Sequence, residues 1–164
     1  MTDILPVVTD DQVQRVVAMA YIVWPQHYDP IIGNEQVVYM LEKFQSERAI
    51  RSQIDEGVSY FILASEGQDC GYLSYELRDD ELFLSKVYVL ADYQGRGLGK
   101  LALDFVRERA QHRRIRLTVN KHNSDSIAFY ERTGFIRAGE VLNDIGGGFY
   151  MDDFIFDLHP QRES

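Results

Sequence analysis

Gly95, Gly97 and Gly99 fall within five residues, in Gln94-Gly-Arg-Gly-Leu-Gly-Lys100, and the runs on either side have opposite periodicities. Before them, Glu81 to Leu90 (ELFLSKVYVL) is rich in Leu, Val, Tyr and Phe, as strands are; after them, Leu98, Leu101, Ala102, Phe105, Val106 and Arg109 trace one face of a helix. A strand that enters a helix through a glycine-rich turn commits the chain to packing helices on a sheet. The next apolar run, Ile115 to Val119, should then return parallel to Leu82–Leu90, because strand–helix–strand crossovers close with one hand. Such a turn also aims successive N–H groups and the positive end of the helix dipole at one point, where a phosphate can be held, and glycine allows the close approach that side chains would block. A tight connection with an incidental basic surface is the plain structural reading of the same residues.

The remaining segments build outward from this unit. Thr9 with Gln12 makes a capping box, and Val13, Val16, Val17, Ala20 and Tyr21 recur at helical spacing, which predicts a helix from Asp10 to Val23 that Trp24-Pro25 ends. A second amphipathic region, Asn34 to Glu56, is interrupted at Ser46 and reads as one bent helix or two short ones. From Gly57 onward, VSYFILAS, CGYLSYEL and ELFLSKVYVL are separated by SEGQD and RDD, the pattern of an antiparallel meander. Ser124 to Arg132 is a short helix stopped by Gly134, and FIRAGEVL and FYMDDFIFDL are closing strands around a loop from Asn143 to Gly148. The expectation is one mixed α/β domain over residues 1–164, with a central, mostly antiparallel sheet of about six to seven strands flanked by about four helices.

Composition narrows the partners. With 26 acidic and 17 basic residues the net charge is −9, which repels nucleic-acid backbones and anionic lipid and attracts cations. Nucleic-acid and membrane partners are therefore not expected. Cys70 is alone, so it has no internal disulfide partner, and no apolar run is long enough to span a bilayer. The opening MTDILPVVTDD has no basic-then-apolar signal, and the expected location is cytoplasmic. His27, His112, His122 and His159 are scattered without metal-ligand spacing, so no metal is expected.

Two phosphate motifs can be tested on the glycine turn. A P-loop needs a glycine where Gln94 stands and Ser or Thr where Leu101 stands. The dinucleotide pattern is met formally by Gly97, Gly99 and Ala102, yet the following strand ends in Asn120 rather than in an acidic residue, and the strands before it form a meander. What fits is Gln-x-x-Gly-x-Gly directly after a strand, which resembles the acyl-CoA pyrophosphate loop of the GNAT superfamily of N-acetyltransferases. Leu84-Ser-Lys-Val-Tyr-Val-Leu90 resembles that family's fourth strand. Val119-Asn-Lys-His-Asn-Ser-Asp-Ser-Ile-Ala-Phe-Tyr-Glu-Arg-Thr-Gly-Phe135 resembles its next strand and helix, with Ser126 at a small-residue position where alanine is common. The likeness covers residues 82 to 135.

The resemblance implies acetyl-CoA as cosubstrate and acetyl transfer to a primary amine by direct attack in a ternary complex. Gln94, Gly95, Arg96, Gly97, Leu98, Gly99 and Lys100 would bind the pyrophosphate. Val87, Tyr88 and Val89 would line the pantetheine, with main-chain groups of the two valines beside it and an oxyanion contact from an N–H near Val87. Asn123 and Ser126 would border the pantetheine arm. Tyr130 would protonate the departing thiolate; a phenol of pKa about 10 is a weaker acid than a thiol of about 8.5, so the step relies on positioning and on charge developing at sulfur. Packing with Phe129 is the structural alternative for Tyr130. The general base stays open among Glu76, Glu81, His122, Asp144, Asp152 and a water chain.

In the same resemblance the acceptor pocket is shaped by Trp24 to Ile32 and by Asn143 to Asp153. Trp24, His27 and Tyr28 with Asp144, Asp152 and Asp153 would suit a cationic amine, with Trp24, Tyr28, Asp144 and Asp152 the expected contacts; core packing and solvent-facing aspartates are the alternative. WPxxY, EQxxYML and DIGGGFYMDDF are similar to a bacterial branch that includes polyamine acetyltransferases, which puts spermidine and spermine first among acceptors. A non-catalytic acyl-CoA-binding or regulatory module and a dinucleotide-binding protein are the other readings. A homodimer is compatible with the resemblance.

Overall fold

The computed structural model describes residues 1–160. Among them the order is β1 (Thr2–Pro6), α1 (Asp10–Ile32), α2 (Asn34–Gln45), α3 (Glu47–Asp55), β2 (Val58–Ser65), β3 (Gln68–Leu77), β4 (Glu81–Val89), a short 3₁₀ turn (Ala91–Tyr93), α4 (Leu98–Ala110), β5 (Arg114–Asn120), α5 (Ser124–Arg132), β6 (Ile136–Gly146) and β7 (Phe149–Leu158). The strands form one sheet in the order β1-β2-β3-β4-β5-β7-β6, antiparallel everywhere except between β4 and β5. The mixed, mostly antiparallel sheet expected from the sequence is the one observed.

Helices cover both faces, so β2 is buried on both. Tyr60, Ile62 and Ala64 point to the side of α1, α2 and α3, while Phe61 and Leu63 point to the side of α4. This explains why VSYFILAS is an unbroken apolar run instead of an alternating one. Buried Ile115, Leu117 and Val119 of β5 join the α4-side core, together with Tyr130 and Ile127 of α5.

Three elements depart from the sequence reading. Strand β1, which the sequence reading did not assign, pairs antiparallel with β2 from Thr2↔Ser65 to Pro6↔Phe61 and forms one edge of the sheet. Helix α1 does not stop at Val23: Trp24-Pro25 and Asp29-Pro30 both lie inside it. Each proline removes the donor to the carbonyl four residues back, here Tyr21 and Gln26, and both are exposed, so water can serve those oxygens. Buried Trp24, whose indole N–H donates to the Tyr72 hydroxyl at 3.0 Å, anchors the helix through the first proline. The expected loop from Asn143 to Gly148 is instead a tight hairpin in which β6 runs to Gly146 and β7 begins at Phe149.

Between Asn34 and Glu56 the chain forms two helices, because the Ser46 side chain accepts from the Ala49 N–H and caps the second. The hairpin of β6 and β7 docks on the first of these. Tyr39 and Lys43 both donate to the Ile145 carbonyl, and a Cβ on Gly147 would stand 2.9 Å from the Tyr39 ring. That contact positions the start of β7, whose residues reach the centre of the molecule.

Candidate active site

Among the described residues the only parallel pair in the sheet is also the shortest: β4 and β5 meet at Glu81↔Arg114, Leu82↔Ile115 and Phe83↔Arg116, and then part. Beyond Phe83, β4 keeps its partner β3 but has none on the β5 side. The register against β3 steps from Ser74↔Lys86 to Tyr75↔Leu84, so Ser85 is the extra residue of a bulge at the point of divergence. A cleft of about 540 Å³ opens there, walled by Ser85, Val87, Tyr88 and Val89 on one side, Thr118 and Val119 on the other, and α4 and α5 beyond.

The glycine turn closes one end of this cleft. Gly95 and Gly97 have φ of +79° and +80°, a region that costs other residues strain, and Gly97 caps α4 with no side-chain hydrogen bond. The N–H groups of Leu98, Gly99 and Lys100 in the first turn therefore have no partner within the helix. A Cβ on Gly99 would stand 3.3 Å from the Phe129 ring, so this glycine allows α4 to approach α5. The Gln94 amide donates to the Val89 carbonyl at 3.2 Å, tying the turn back to β4. Gln94, Gly95, Gly97, Leu98, Gly99 and Lys100 line the cleft; Arg96 does not, lying over the Tyr93 ring at 5.2 Å. Arg132 of α5 adds a cation to the cleft that motif reading did not include.

Helix α5 places Asn123, Ser126 and Tyr130 along the same wall. Asn123 is buried as the N-cap of α5: its side-chain oxygen accepts from the Ser126 N–H at 3.3 Å, and its amide nitrogen lies 2.8 Å from His27 Nε2. Tyr130 packs between Phe129 and Phe135, at ring distances of 5.4 and 5.3 Å, and still faces the cleft. Burial, reinforced by nearby Tyr28, drives its hydroxyl far above the usual phenol range, so it is protonated throughout the physiological range. Core packing and a cleft-facing hydroxyl coexist in this one side chain.

A second cavity of about 220 Å³ lies behind the first and shares Tyr28, Ser85, Tyr88, Thr118 and Val119 with it. The Tyr28 and Tyr88 hydroxyls are 2.8 Å apart, and burial pushes Tyr28 up to about 12. Trp24, Ile32, Met40, Phe44, Phe83 and Met151 make the inner walls apolar. Among them stands Asp153, only 3% exposed. Burial, with the neighbouring Asp152 charge, pushes its carboxyl up to about 6, against the lowering pull of Thr118 and Lys121.

Trp24 and Tyr28 thus meet at the inner cavity, whereas Asp144 and Asp152 line neither cavity. Asp144 accepts from the Gly146 N–H within its own hairpin at 2.9 Å, and Asp152 is exposed and ion-paired to Lys121 at 2.9 Å. The side chains of β7 alternate, with Met151 and Asp153 inward and Tyr150 and Asp152 outward, so the carboxylate that reaches the cavity is the neighbour of the one singled out. Apolar Phe149 and Met151, four and two residues before Asp153, are the local trace of that alternation in the sequence. The other candidate bases are also elsewhere: Glu81 is held by Arg78 and Arg114 at 2.9 Å each, Glu76 lies 3.4 Å from Arg78, and His122 is exposed.

A parallel pair that splays at a bulge, with a glycine turn capping the next helix, defines an acetyltransferase-type α/β fold. Residues 16–135 match the acetyltransferase (GNAT) family, and the chain belongs to it. A curated relative, the 5-NmdU N-acetyltransferase of Pseudomonas phage PaMx11, is 37% identical over 89 residues, which are 53% of this chain and 64% of that protein. The chain thus matches less than two thirds of that relative's length. The crystal structure of PaiA N-acetyltransferase from Thermoplasma acidophilum in complex with coenzyme A superposes with a TM-score of 0.76 at 18% identity, over 97% of this chain and 99% of that one. The ribosomal-protein-S18-alanine N-acetyltransferase of Escherichia coli gives 0.74 at 22% identity, over 100% and 97%. No helix among the described residues is long and apolar enough to cross a membrane.

Proposed function

We propose that the chain moves an acetyl group from acetyl-CoA to a primary amine by direct attack in a ternary complex. The observation that carries this reading is the pair of cavities meeting at the β4–β5 divergence, one ending at uncapped helix N–H groups and the other at a buried carboxylate. The residues fit the cosubstrate. The first turn of α4 and Lys100 would hold the pyrophosphate, with Arg132 within the same cleft and Arg96 held to one side on Tyr93. The unpaired edge of β4 from Val87 to Val89 would take the pantetheine as an added strand, with Asn123 and Ser126 bordering it.

The amine lone pair attacks the thioester carbonyl carbon, the carbon–sulfur bond breaks, Tyr130 gives its proton to the departing thiolate, and the proton shed by the acylated nitrogen returns through solvent to Tyr130. A main-chain N–H near Val87 would stabilise the charge on the carbonyl oxygen. The net charge of −9 and the WPxxY and EQxxYML patterns put spermidine and spermine on the acceptor panel, and the name of the phage relative adds 5-NmdU.

The test is thiol release from acetyl-CoA with an amine panel containing polyamines, aromatic and aliphatic monoamines, a peptide N-terminus, an aminoglycoside and 5-NmdU. Release stimulated by an amine, with the acetylated amine recovered, supports the reading. Tight acetyl-CoA binding without stimulated release by any of them would make the chain a non-catalytic acyl-CoA module, and NAD(H) binding without acetyl-CoA binding would make it a dinucleotide protein.

A further inference from the structure

We propose that the inner cavity selects a primary amine carrying one positive charge on a compact apolar body, and that Asp153 holds its ammonium and accepts the proton it sheds. This rests on the acetyl-transfer reading and narrows it. The first argument is charge count. Asp153 is the one carboxylate among the residues lining this cavity, and among the described residues no cation ion-pairs with it. Its nearest candidate, Lys121, is held outward by Asp152 at 2.9 Å and Glu140 at 3.5 Å. A buried carboxylate without a counter-charge is unfavourable unless a ligand supplies one.

The second argument is wall chemistry. Trp24, Ile32, Met40, Phe44, Phe83 and Met151 surround the carboxylate with hydrocarbon and aromatic faces, and the polar groups nearby, Gln36, Ser85, Thr118 and Asn120, are neutral. One ammonium is matched by Asp153; the next ammonium of a polyamine would lie desolvated against these walls with no second counter-charge. The third is size. A volume of about 220 Å³ is below the roughly 300–1,000 Å³ of sites for drug-sized ligands, and it accommodates a single ring or a short branched chain.

The chemistry balances. The ammonium gives one proton to the carboxylate, leaving a neutral amine and a carboxylic acid, and the freed lone pair attacks the thioester. Burial helps, because a carboxyl raised to about 6 takes a proton from an amine more readily than an ordinary one. The groups facing Asp153 are Asp152 on its own strand, Thr118 from β5, Lys121 from the turn after β5, Tyr28 from α1 and Tyr88 from β4, with Glu140 of β6 reaching Lys121. Tyr28 and Tyr88 are both pushed up by burial and stay neutral, so Asp153 is the group that titrates on this wall near neutral pH.

The experiment compares benzylamine and phenethylamine with putrescine and spermidine in the thiol-release assay at saturating acetyl-CoA, for the intact chain and for Asp153→Asn. Expected are a kcat/KM at least about tenfold higher for the aromatic monoamines, and a loss of about a hundredfold in Asp153→Asn. Acetyl-CoA affinity by calorimetry should stay within about threefold, and the acid limb of the pH profile should disappear. Met151→Phe, which narrows the cavity and leaves the carboxylate, should raise KM for benzylamine without changing acetyl-CoA affinity. Spermidine turning over as well as benzylamine, Asp153→Asn within twofold of the parent, or an unchanged KM in Met151→Phe would each overturn the proposal. Turnover that favours polyamines leaves acetyl transfer standing, whereas acetyl-CoA binding with no amine turned over removes both.

Discussion

The Asn123 amide and the His27 imidazole are joined at 2.8 Å, and the bond runs from the amide to the ring. The direction follows from the other end of Asn123, whose oxygen already accepts from the Ser126 N–H, leaving Nδ2 to face His27. His27 Nε2 is therefore the acceptor and the ring is neutral with its proton on Nδ1. Burial acts in the same sense, lowering the His27 pKa against the pull of Asp125. A helix cap on α5 thus sets the tautomer of a residue on α1, across the cleft.

Asn123→Asp should reverse this. Aspartate caps a helix as well as asparagine does, so stability should change by less than about 1 kcal/mol, but the oxygen that replaces Nδ2 puts an acceptor opposite Nε2. The His27 pKa should rise, read from its ring-proton NMR titration. A pKa unchanged or lowered would show that the amide does not set the tautomer.

Tyr130→Phe keeps the packing with Phe129 and Phe135 and removes only the hydroxyl. Turnover should fall by about a hundredfold or more, while KM for acetyl-CoA stays within about threefold. Steady-state kinetics with the best acceptor from the panel checks this; an undiminished kcat would remove Tyr130 as the acid.

Gly97 and Gly99 should fail differently when substituted. Gly97→Ala meets open space, so its cost, about 1–2 kcal/mol, is that of holding a side chain at φ +80°. Gly99→Val drives methyl groups into Phe129 and should push α4 from α5. Both should raise KM for acetyl-CoA. Only Gly99→Val should also lower kcat, because Phe129 neighbours Tyr130.

Asp153 should cost stability at the pH where it works. Its carboxyl is raised from 3.8 to about 6, so the folded chain holds the proton to a higher pH than the unfolded one, and the stability this confers is lost as pH rises through 6. Above that, the buried charge is a penalty on the order of 3 kcal/mol. Asp153→Asn should therefore raise the melting temperature at pH 8 and leave it nearly unchanged at pH 4, by differential scanning fluorimetry. Equal shifts at both pH values would rule out the linkage.

The meander, the parallel return of β5, and the Gly97 start and Gly134 stop of the helices were all legible as local pattern. What local pattern misjudged was set by tertiary partners. Pro25 is tolerated because the carbonyl it orphans belongs to exposed Tyr21 while Trp24 is held by Tyr72. β1 is a short edge strand defined by its pairing with β2. At the site, the glycine turn could be read from spacing, whereas Tyr130 is expected only from the resemblance of Val119–Phe135 to the GNAT strand and helix. Which of Asp152 and Asp153 faces inward depends on how β7 meets β5, where Asp153 pairs with Asn120. The bulge at Ser85 exists only in the register between β3 and β4.

The wall common to the two cavities divides the molecule's freedom to change. Ser85, Tyr88, Thr118 and Val119 belong to β4 and β5, and with Tyr28 they line both sides at once, so a substitution there alters both cavities together. Ile32, Gln36, Met40, Phe44 and Met151 line the inner cavity and not the outer one, and they sit on α1, α2 and β7, whose hairpin partner β6 is tied to α2 by the Tyr39–Ile145 contact. If the proposed acetyl transfer holds, descendants of this chain can exchange one amine for another by redrawing those five positions, while the glycine turn, the splayed strands and Tyr130 pass unaltered from one acceptor to the next.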